Sequence, residues 1–214
     1  MIIDPAALAS KEAYALLVSA VVPRPIALVT SLNAHHLVNA APYSFFNAIT
    51  SSPPLIIFSA GRKKGAMKHT TENILLRREF VVNIVNESLV ISMHLSSADF
   101  PPEISKMDQL GLTLLPSVRI AVPRIAESPV NIECTLHKHI ALEEEGVDLI
   151  IGEIRQYHVR DELMSGGVID QKLLKPIARM GGDYYATIDN LFEMERYTSW
   201  KKSSGVNKDS EAGG

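Results

Sequence analysis

The chain has 214 residues, of which 46% are hydrophobic, and it carries a formal net charge of −3. A chain of this length and apolar content can bury a sizeable core, which excludes a largely disordered protein. The slightly negative charge excludes a nucleic-acid-binding protein that depends on a broad basic surface, but it allows a local cationic pocket. Cys134 is the only cysteine, which excludes an intrachain disulfide and a thiolate metal cluster.

The terminal segments bear on localisation and domain organisation. Residues 1–14 contain an early Asp4 and lack a basic region followed by a long apolar core, so we expect no secretory signal. No stretch approaches the roughly 20 apolar residues that a membrane-spanning helix needs. We therefore predict a cytoplasmic protein that binds neither nucleic acid nor membranes. Residues 1–200 are predicted to form one domain, and the polar residues 201–214 a disordered tail.

The first quarter of the chain reads as a helix followed by a strand pair. Residues 10–20 have apolar side chains at helical spacing after a serine, which predicts a helix. Residues 26–32 are apolar and rich in β-branched side chains, which is typical of a buried strand. Residues 33–36 resemble a hairpin loop, and residues 37–49 the returning strand. Pro42 within that strand requires a sheet edge, a bulge or a break.

Further strands and helices alternate along the rest of the chain. Two long alternating runs, 130–142 and 147–159, flank a turn-like EEEG and predict a long antiparallel hairpin. Between residue 49 and this hairpin we predict a buried strand at 55–60, a helix within 66–80, a strand at 80–85 and a helix at 87–97. Residues 100–128 are predicted to form an irregular, proline-rich segment with a short helix around 104–111.

Many short strands with an antiparallel bias predict a mainly β protein, a closed or partly closed β-barrel with helical decoration. The sequence contains no G-x-G-x-x-G after a strand and no G-x-x-x-x-G-K-[ST], so neither a Rossmann dinucleotide domain nor a triphosphate P-loop is expected.

A basic loop between the strand at 55–60 and the following helix is the main candidate site. A phosphate group needs cations, hydroxyls and backbone N–H donors that converge, and helix starts supply such donors. Gly61 and Gly65 would let the backbone turn close to a ligand. A solvated basic loop would explain the same residues equally well. The residues that could bind a phosphate are Ser59, Arg62, Lys63, Lys64, Lys68, Thr70 and Thr71.

Other candidate chemistry is weak. His137 and His139 share one face of a strand, but no third ligand follows at a recognisable spacing, so a solvent-facing pair is the preferred interpretation and no metal site is predicted. G-x-S-x-G is absent, and Cys134 lies within a strand pattern typical of a core residue. We predict no catalytic side chain. A phosphorylated cofactor would then carry the chemistry, while the polypeptide supplies position and charge.

Several segments in the same order resemble the flavin reductase-like proteins of the FMN-binding split-barrel class. They are VPRPIALVTS (22–31), residues 39–63 from NAAPYS to SAGRK, KHTTENI (68–74), FVVNIV (80–85) and residues 168–192. The resemblance extends from about residue 10 to 197. It implies a six-stranded antiparallel split β-barrel that forms a homodimer, with FMN near the subunit interface and FAD as the alternative flavin.

The resemblance also implies which residues hold the flavin. Thr30, Ser31 and the segment Asn39 to Asn47 would line the isoalloxazine ring, with Ser44 and Phe45 contacting its polar edge largely through backbone groups. Tyr184 and Tyr185 would border the ring or the substrate. The phosphate would be held by Ser59, Arg62 and Lys63, with Lys68, Thr70 and Thr71 close by. Two departures from the family pattern are His69, where many relatives have an acidic residue, and NAHH (33–36), where many have a glycine.

The function implied is that of an NAD(P)H-dependent flavin reductase. Electrons would pass from the nicotinamide to the flavin and then to free flavin, oxygen, a metal complex or a partner oxygenase. A flavoredoxin-like electron carrier, a flavin-binding module without turnover, and a split barrel that serves only as a dimeric interaction domain are the alternatives. No segment of the sequence identifies a nicotinamide site, and NADH is not distinguished from NADPH.

Overall fold

The structure is a computed structural model that describes residues 1–98, 100–101, 106–144 and 146–194. The predicted tail and residues 195–200 lie outside these residues, as do Ile104 and Ser105 of the predicted short helix. The strands in chain order are β1 (Arg24–Pro25), β2 (Ala27–Leu32), β3 (Val38–Tyr43), β4 (Phe46–Ser51), β5 (Pro54–Gly61), β6 (Glu79–Ile84), β7 (Leu114–Leu115), β8 (Arg124–Ile125), β9 (Val130–Leu142), β10 (Val147–Val159), β11 (Met164–Ser165), β12 (Val168–Ile169), β13 (Ala178–Arg179) and β14 (Tyr185–Ala186).

Short helices connect the strands; those at residues 10–20, 69–77, 90–96 and 106–110 lie in predicted helical segments, whereas the sequence did not predict the one at 171–174. The first helix has the predicted bounds, and Glu12 Oε2 accepts a hydrogen bond from the Ala9 N–H at its start (3.0 Å). The second ends where Arg78 adopts a left-handed conformation with φ of 63°. The helices are α1 (Ser10–Ala20), α2 (His69–Arg77), α3 (Val90–Ser96), α4 (Lys106–Leu110) and α5 (Gln171–Leu174), with 3₁₀ turns at Pro5–Ala7, Glu87–Leu89 and Asp161–Leu163.

Seven of the described strands form one antiparallel sheet in the order β3-β2-β6-β9-β10-β5-β4. The mainly β, antiparallel prediction is therefore confirmed, whereas the six-stranded barrel is not. The difference arises in residues 37–49, which were predicted as one strand but form β3 and β4 on opposite edges of the sheet. Only Ser44 and Phe45 separate these two strands. Because three residue steps span at most about 11 Å, the sheet must curve until its two edges approach each other.

Pro42 lies on an edge strand, as its missing N–H requires. Lys106 Nζ donates a hydrogen bond to the Ala40 carbonyl oxygen (3.2 Å), so the backbone of Ala40 faces away from β2. Pro42 follows two residues later and faces the same open side, because backbone direction alternates along a strand. The proline therefore removes no hydrogen bond from the β2–β3 ladder.

The core occupies both faces of the sheet. On the inner face Phe58 lies between Tyr43 (ring centroids 4.7 Å apart) and Phe80 (5.7 Å). Gly152 is opposite this cluster, where a Cβ atom would come within 2.3 Å of Phe80 Cζ, so the close approach requires glycine. On the outer face a second cluster packs β2 against α3 and α4. It comprises Ile26, Leu28, Ala40, Val85, Leu89, Met93, Met107, Leu110, Leu112, Ile125 and Ile177.

Buried carboxylate hydrogen bonds attach the irregular segment before β9 to the sheet. Glu133 accepts hydrogen bonds from the N–H groups of Val118 and Arg119 (2.7 Å each) and contacts His158 Nε2 at 2.5 Å. Burial would raise the pKa of Glu133, but these hydrogen bonds outweigh it and lower that pKa. The segment can thus lack regular structure while its backbone donors stay satisfied.

None of the described helices has the length and apolar character needed to cross a membrane. The longest, α1, has 11 residues.

Candidate functional site

A cleft lies beside the open edge of β3, where it meets the start of α2 and the end of α3. We call it the α2 cleft, and its volume is about 120 Å³. Asn39 Nδ2 donates a hydrogen bond to Thr70 Oγ1 (2.9 Å), which fixes both side chains. Tyr43 also interacts with Thr70, although burial dominates and raises the pKa of Tyr43 to about 12, so its phenol is neutral. The lining residues are Asn39, Ala41, Pro42, Tyr43, Lys68, His69, Thr70, Ser96, Ser97, Ala98, Phe100 and Lys106.

The start of α2 in this cleft suits an anion. Its N-cap residue, Lys68, provides no side-chain acceptor for the first N–H groups of the helix. Thr71, in the first turn, is fully buried, and its Oγ1 has no hydrogen-bond partner among the described residues. Two lysines, Lys68 and Lys106, line the same cleft. Uncapped N–H groups, a helix dipole and nearby ammonium groups are the usual elements of a phosphate site.

A second cleft, the Phe45 cleft, contains four more of the predicted flavin-site residues. Ser44, Phe45, Asn47 and Ser59 line it, and its volume of about 440 Å³ is within the range of small-molecule sites. The Ser59 N–H donates to the Phe45 carbonyl oxygen (2.9 Å), which joins the β3–β4 connection to β5. The wall of the Phe45 cleft is mainly apolar, and its other lining residues include Leu17, Val21, Pro23, Pro25, Phe46, Ile57 and Leu149.

A third cleft, the Tyr185 cleft, adjoins the other two. It has a volume of about 520 Å³. It shares Pro42 with the α2 cleft, and it shares Ser44 and Arg24 with the Phe45 cleft. The segment from Pro42 to Asn47 therefore passes along all three clefts. Of the two late tyrosines, Tyr185 lines the third cleft, whereas Tyr184 is largely exposed.

Arg62 makes a structural ion pair. Its Nε and Nη2 atoms donate to the two carboxylate oxygens of Asp148 (3.0 and 2.8 Å), and His139 Nε2 lies 2.9 Å from the same carboxylate. Asp148 is fully buried, and the hydrogen bonds from Arg62 are the main cause that lowers its pKa. Arg62 thus ties the end of β5 to the start of β10. Neither Arg62 nor Lys63 lines the three clefts.

Thr30 and Ser31 are interior residues. Both are fully buried, because every residue of β2 is covered on both faces of the sheet. Thr30 Oγ1 donates to the Pro123 carbonyl oxygen (2.8 Å), and Ser31 Oγ accepts from Asn73 Nδ2 (3.1 Å). Their hydroxyl groups therefore connect β2 to neighbouring segments. Neither residue lines the three clefts.

The two histidines of β9 have different environments. His139 contacts Asp148, while the exposed His137 lies 4.0 Å from Glu153 Oε2. Within the described ranges, no group of three or more His, Cys, Asp or Glu residues is arranged to hold a metal ion.

Several charged or titratable cleft residues are absent from the sequence-based expectations, among them Arg24, Lys106, His94 and Arg179. Arg24 lines two clefts, and its only sequence signal is its position between two prolines in the motif VPRP. Lys106 lies in the α2 cleft and His94 in the Tyr185 cleft. Both come from segments without a recognisable motif, so only the folded arrangement brings them to the site.

Comparisons with known proteins define the family. Residues 19–175 match the model of the flavin reductase like domain, and the chain belongs to this family. The uncharacterized protein BH2278 of Halalkalibacterium halodurans is 41% identical over 203 residues, which cover 92% of this chain and 97% of the relative.

The chain is also similar to solved structures, including the following two. The chain resembles nitrilotriacetate monooxygenase component B from Bacillus cereus with a TM-score of 0.87 and 37% identity, covering 91% of this chain and 98% of the other. It resembles the 2-nitrobenzoate 2-nitroreductase NbaA of Pseudomonas fluorescens with a TM-score of 0.86 and 35% identity, covering 95% and 100%. The split-barrel flavin reductase family expected from the sequence is thus confirmed.

The Arg62–Asp148 pair generates a pH-dependent prediction. Because the pKa of Asp148 is lowered in the folded protein, its carboxylate stabilises the fold above the unfolded-state pKa near 4. This contribution is lost as the pH falls through the folded-state value. We expect Asp148→Asn to lower the Tm by several degrees at neutral pH, and the difference from wild type to shrink below about pH 4. Thermal denaturation of both proteins from neutral pH to below about pH 4 measures this difference in Tm.

The exposed Asp161 provides the matched control for this experiment. Asp161→Asn should change the Tm little at any pH, since it removes no buried ion pair. A Tm difference for Asp148→Asn that stays constant down to the lowest pH would contradict the assigned role of the carboxylate.

Proposed function

We propose that the protein binds FMN and acts as an NAD(P)H-dependent flavin reductase, which passes electrons from a nicotinamide to the flavin and on to an acceptor. The observation that carries the proposal is the anion-suited start of α2 in a chain of the flavin reductase family. When bound, FMN supplies the hydride-accepting and electron-carrying group. The chain's own residues contribute binding, orientation and charge.

The phosphate of FMN would be held at the α2 cleft. Lys68 supplies a cation, Thr70 a hydroxyl that Asn39 already orients, and the first turn of α2 its N–H groups. The buried Thr71 Oγ1, which lacks a partner among the described residues, is available as an additional donor. Ser59, Arg62 and Lys63 stay predicted phosphate ligands. Arg62 could contribute only the N–H groups that it does not already donate to Asp148.

The isoalloxazine ring would lie along the segment from Asn39 to Asn47. This segment borders all three clefts, and the backbone at Ala40 and Pro42 faces the open edge of β3 instead of the ladder with β2. The Ala40 carbonyl oxygen already accepts a hydrogen bond from Lys106 Nζ, so the Pro42 carbonyl and later backbone groups of the segment would match the alternating donors and acceptors of the ring's polar edge. Thr30 and Ser31, which are buried, would act on the ring through the position of β3.

The acceptor is proposed from the relatives. One similar structure is named as a monooxygenase component and another as a nitroreductase. The monooxygenase component supports the proposal that reduced flavin passes to a partner oxygenase, in which case the acceptor would lie outside this chain. A flavoredoxin-like electron carrier or a flavin-binding module without turnover is the alternative function, and reaction with the nicotinamide separates it from a reductase.

A homodimer is part of the proposal. Strand β4 is an edge of the sheet, so its outward backbone groups have no partner strand among the described residues. The same region exposes large apolar side chains, including Leu17, Val21, Phe45 and Ile49. An apolar surface beside an open strand edge is typical of an interface between subunits. A second copy placed there would lie next to the Phe45 cleft.

Lys68→Gln tests the phosphate site. We expect it to weaken FMN binding about tenfold or more, because it removes a charge-assisted contact. Riboflavin, which lacks the phosphate, should bind wild type and variant equally. Quenching of flavin fluorescence measures both affinities, with the exposed Lys138→Gln as the matched control. An equal loss for FMN and riboflavin would contradict a phosphate contact.

Comparing Arg62→Ala with Asp148→Asn in the FMN titration separates a phosphate contact of Arg62 from its structural ion pair with Asp148. A lower FMN affinity in Arg62→Ala alone supports a phosphate contact. An equal loss of FMN affinity in both variants indicates that Arg62 acts by holding the end of β5 against the start of β10.

Anaerobic mixing with NADH or NADPH tests the reductase activity. We expect the yellow FMN-loaded protein to lose its flavin absorbance, since hydride transfer requires only that the nicotinamide stack on the ring. Stopped-flow absorbance gives the rate and identifies the preferred nicotinamide. A flavin spectrum that persists with both compounds would favour the carrier or binding-module function.

Ile49→Lys tests the dimer. A charge on this exposed apolar position of β4 should weaken self-association and shift the protein toward a monomer in size-exclusion chromatography with light scattering. Ile91→Lys is the matched control, because Ile91 is exposed on α3 and away from β4. If both variants and wild type have the same mass, the assignment of the dimer interface to β4 is wrong.

A further inference from the structure

The small sheet of β1, β13 and β14 places three functional side chains in one row. Arg24 of β1 lies directly opposite Arg179 of β13, and Arg179 lies directly opposite Tyr185 of β14. Residues opposite each other in antiparallel strands share a face of the sheet. All three line the Tyr185 cleft.

The row carries positive charge that the described residues do not balance. Two arginines opposite each other on neighbouring strands repel. Arg24 is only 6% exposed and pairs with no described carboxylate: its Nη1 donates to the carbonyls of Val18 (2.6 Å) and Val21 (2.8 Å), and its Nη2 to that of Met180 (2.8 Å). Its buried Nε has no hydrogen-bond partner within the described part of the chain.

Arg179 is only weakly neutralised. Its guanidinium lies 3.6 Å from Asp183, but that carboxylate is fully exposed to solvent. Exposed pairs of this kind contribute little, because water screens them. A buried, unpaired cation is costly, so an anion bound between the two guanidinium groups would stabilise the cleft.

The remaining walls of the cleft suit a flat ring. The Arg179 guanidinium carbon lies 4.5 Å from the centre of the Tyr185 ring, and the His94 ring meets Tyr185 edge to face at 6.3 Å. Val18, Ile26 and Met93 add apolar surface. A guanidinium group can bind a carboxylate through two parallel hydrogen bonds, and the apolar and aromatic walls can cover the ring that carries it.

We propose that the Tyr185 cleft is a binding site for small aromatic carboxylates, with Arg179 as the main carboxylate ligand, Arg24 as the supporting cation and Tyr185 as the ring contact. The cleft volume of about 520 Å³ suits a small molecule. The cleft shares Pro42 and Ser97 with the α2 cleft, and Ser44 and Arg24 with the Phe45 cleft, of the proposed flavin site. A ligand held there would lie beside the flavin, but its binding does not depend on flavin.

Isothermal titration of the purified protein, with and without added FMN, tests the proposal with benzoate as the probe. Benzamide has the ring without the charge, and acetate has the charge without the ring. We expect benzoate to bind at least about tenfold more tightly than either. Arg179→Gln should weaken benzoate binding about 10- to 100-fold, the effect of losing a charged hydrogen-bond donor. Tyr185→Leu should weaken it several-fold.

Two further variants separate a specific contact from a general loss of charge or fold. Lys138→Gln removes an exposed positive charge on β9 and should leave benzoate affinity unchanged. Arg179→Lys keeps the positive charge but loses the planar guanidinium group with its paired N–H donors. Its benzoate affinity should therefore fall between those of wild type and Arg179→Gln. Melting curves establish that each variant is folded before the titration.

Three results would overturn the proposal: benzamide binding as tightly as benzoate, equal benzoate affinity in wild type and Arg179→Gln, or an equal loss in Lys138→Gln. FMN affinity, measured in the same samples, should not change in Arg179→Gln. Failure to bind FMN would contradict the proposed function alone, whereas failure to bind benzoate in a protein that binds FMN would contradict only the carboxylate site.

Discussion

The two-residue connection between β3 and β4 is the constraint from which the arrangement of the clefts follows. These strands lie at opposite edges of the seven-stranded sheet, so a link of Ser44 and Phe45 can join them only if the sheet curves strongly. The curvature leaves Ser44 and Phe45 at a seam where regular sheet pairing is interrupted, while the residues on either side each pair with one neighbouring strand. Backbone and side-chain groups at such a seam are accessible to a ligand, whereas those inside the sheet are already used by neighbouring strands.

Positively charged residues near this seam divide into two groups with different physical roles. Arg62 is committed to the buried Asp148 and holds two strand ends together. Lys68, Lys106 and Arg24 line clefts, where they can act on a bound molecule, although Arg24 and Lys106 also donate hydrogen bonds to backbone carbonyls. A run of cations in the sequence does not reveal this division, because the deciding partner of Arg62 lies 86 residues further along the chain.

Elements with a local sequence pattern are predicted correctly. The prediction fails where contacts with residues far along the chain determine the position of a strand or side chain. The β9–β10 hairpin has its predicted bounds because apolar side chains alternate along both 13-residue strands, although two bulges shift the register, between Ile151 and Gly152 and between Ile154 and Gln156. The break at Ser44–Phe45 depends on sheet order, which local patterns do not contain. The run 26–32 indicates a buried strand, and burial on both faces also accounts for the interior positions of Thr30 and Ser31. The anion-suited start of α2 was within the predicted basic segment, but Arg24 and His94 reach their clefts only through the tertiary fold.

The order of strands in the sheet also has a consequence for how quickly the chain reaches its native state. Three hairpins, β2–β3, β4–β5 and β9–β10, join neighbours in sequence and can form early. The pairings that unite them, β6 with β9 and β5 with β10, bring together segments separated by long stretches of chain. Loop-closure entropy opposes these steps, so assembly of the complete sheet should limit the folding rate and make this protein a slow folder for its size.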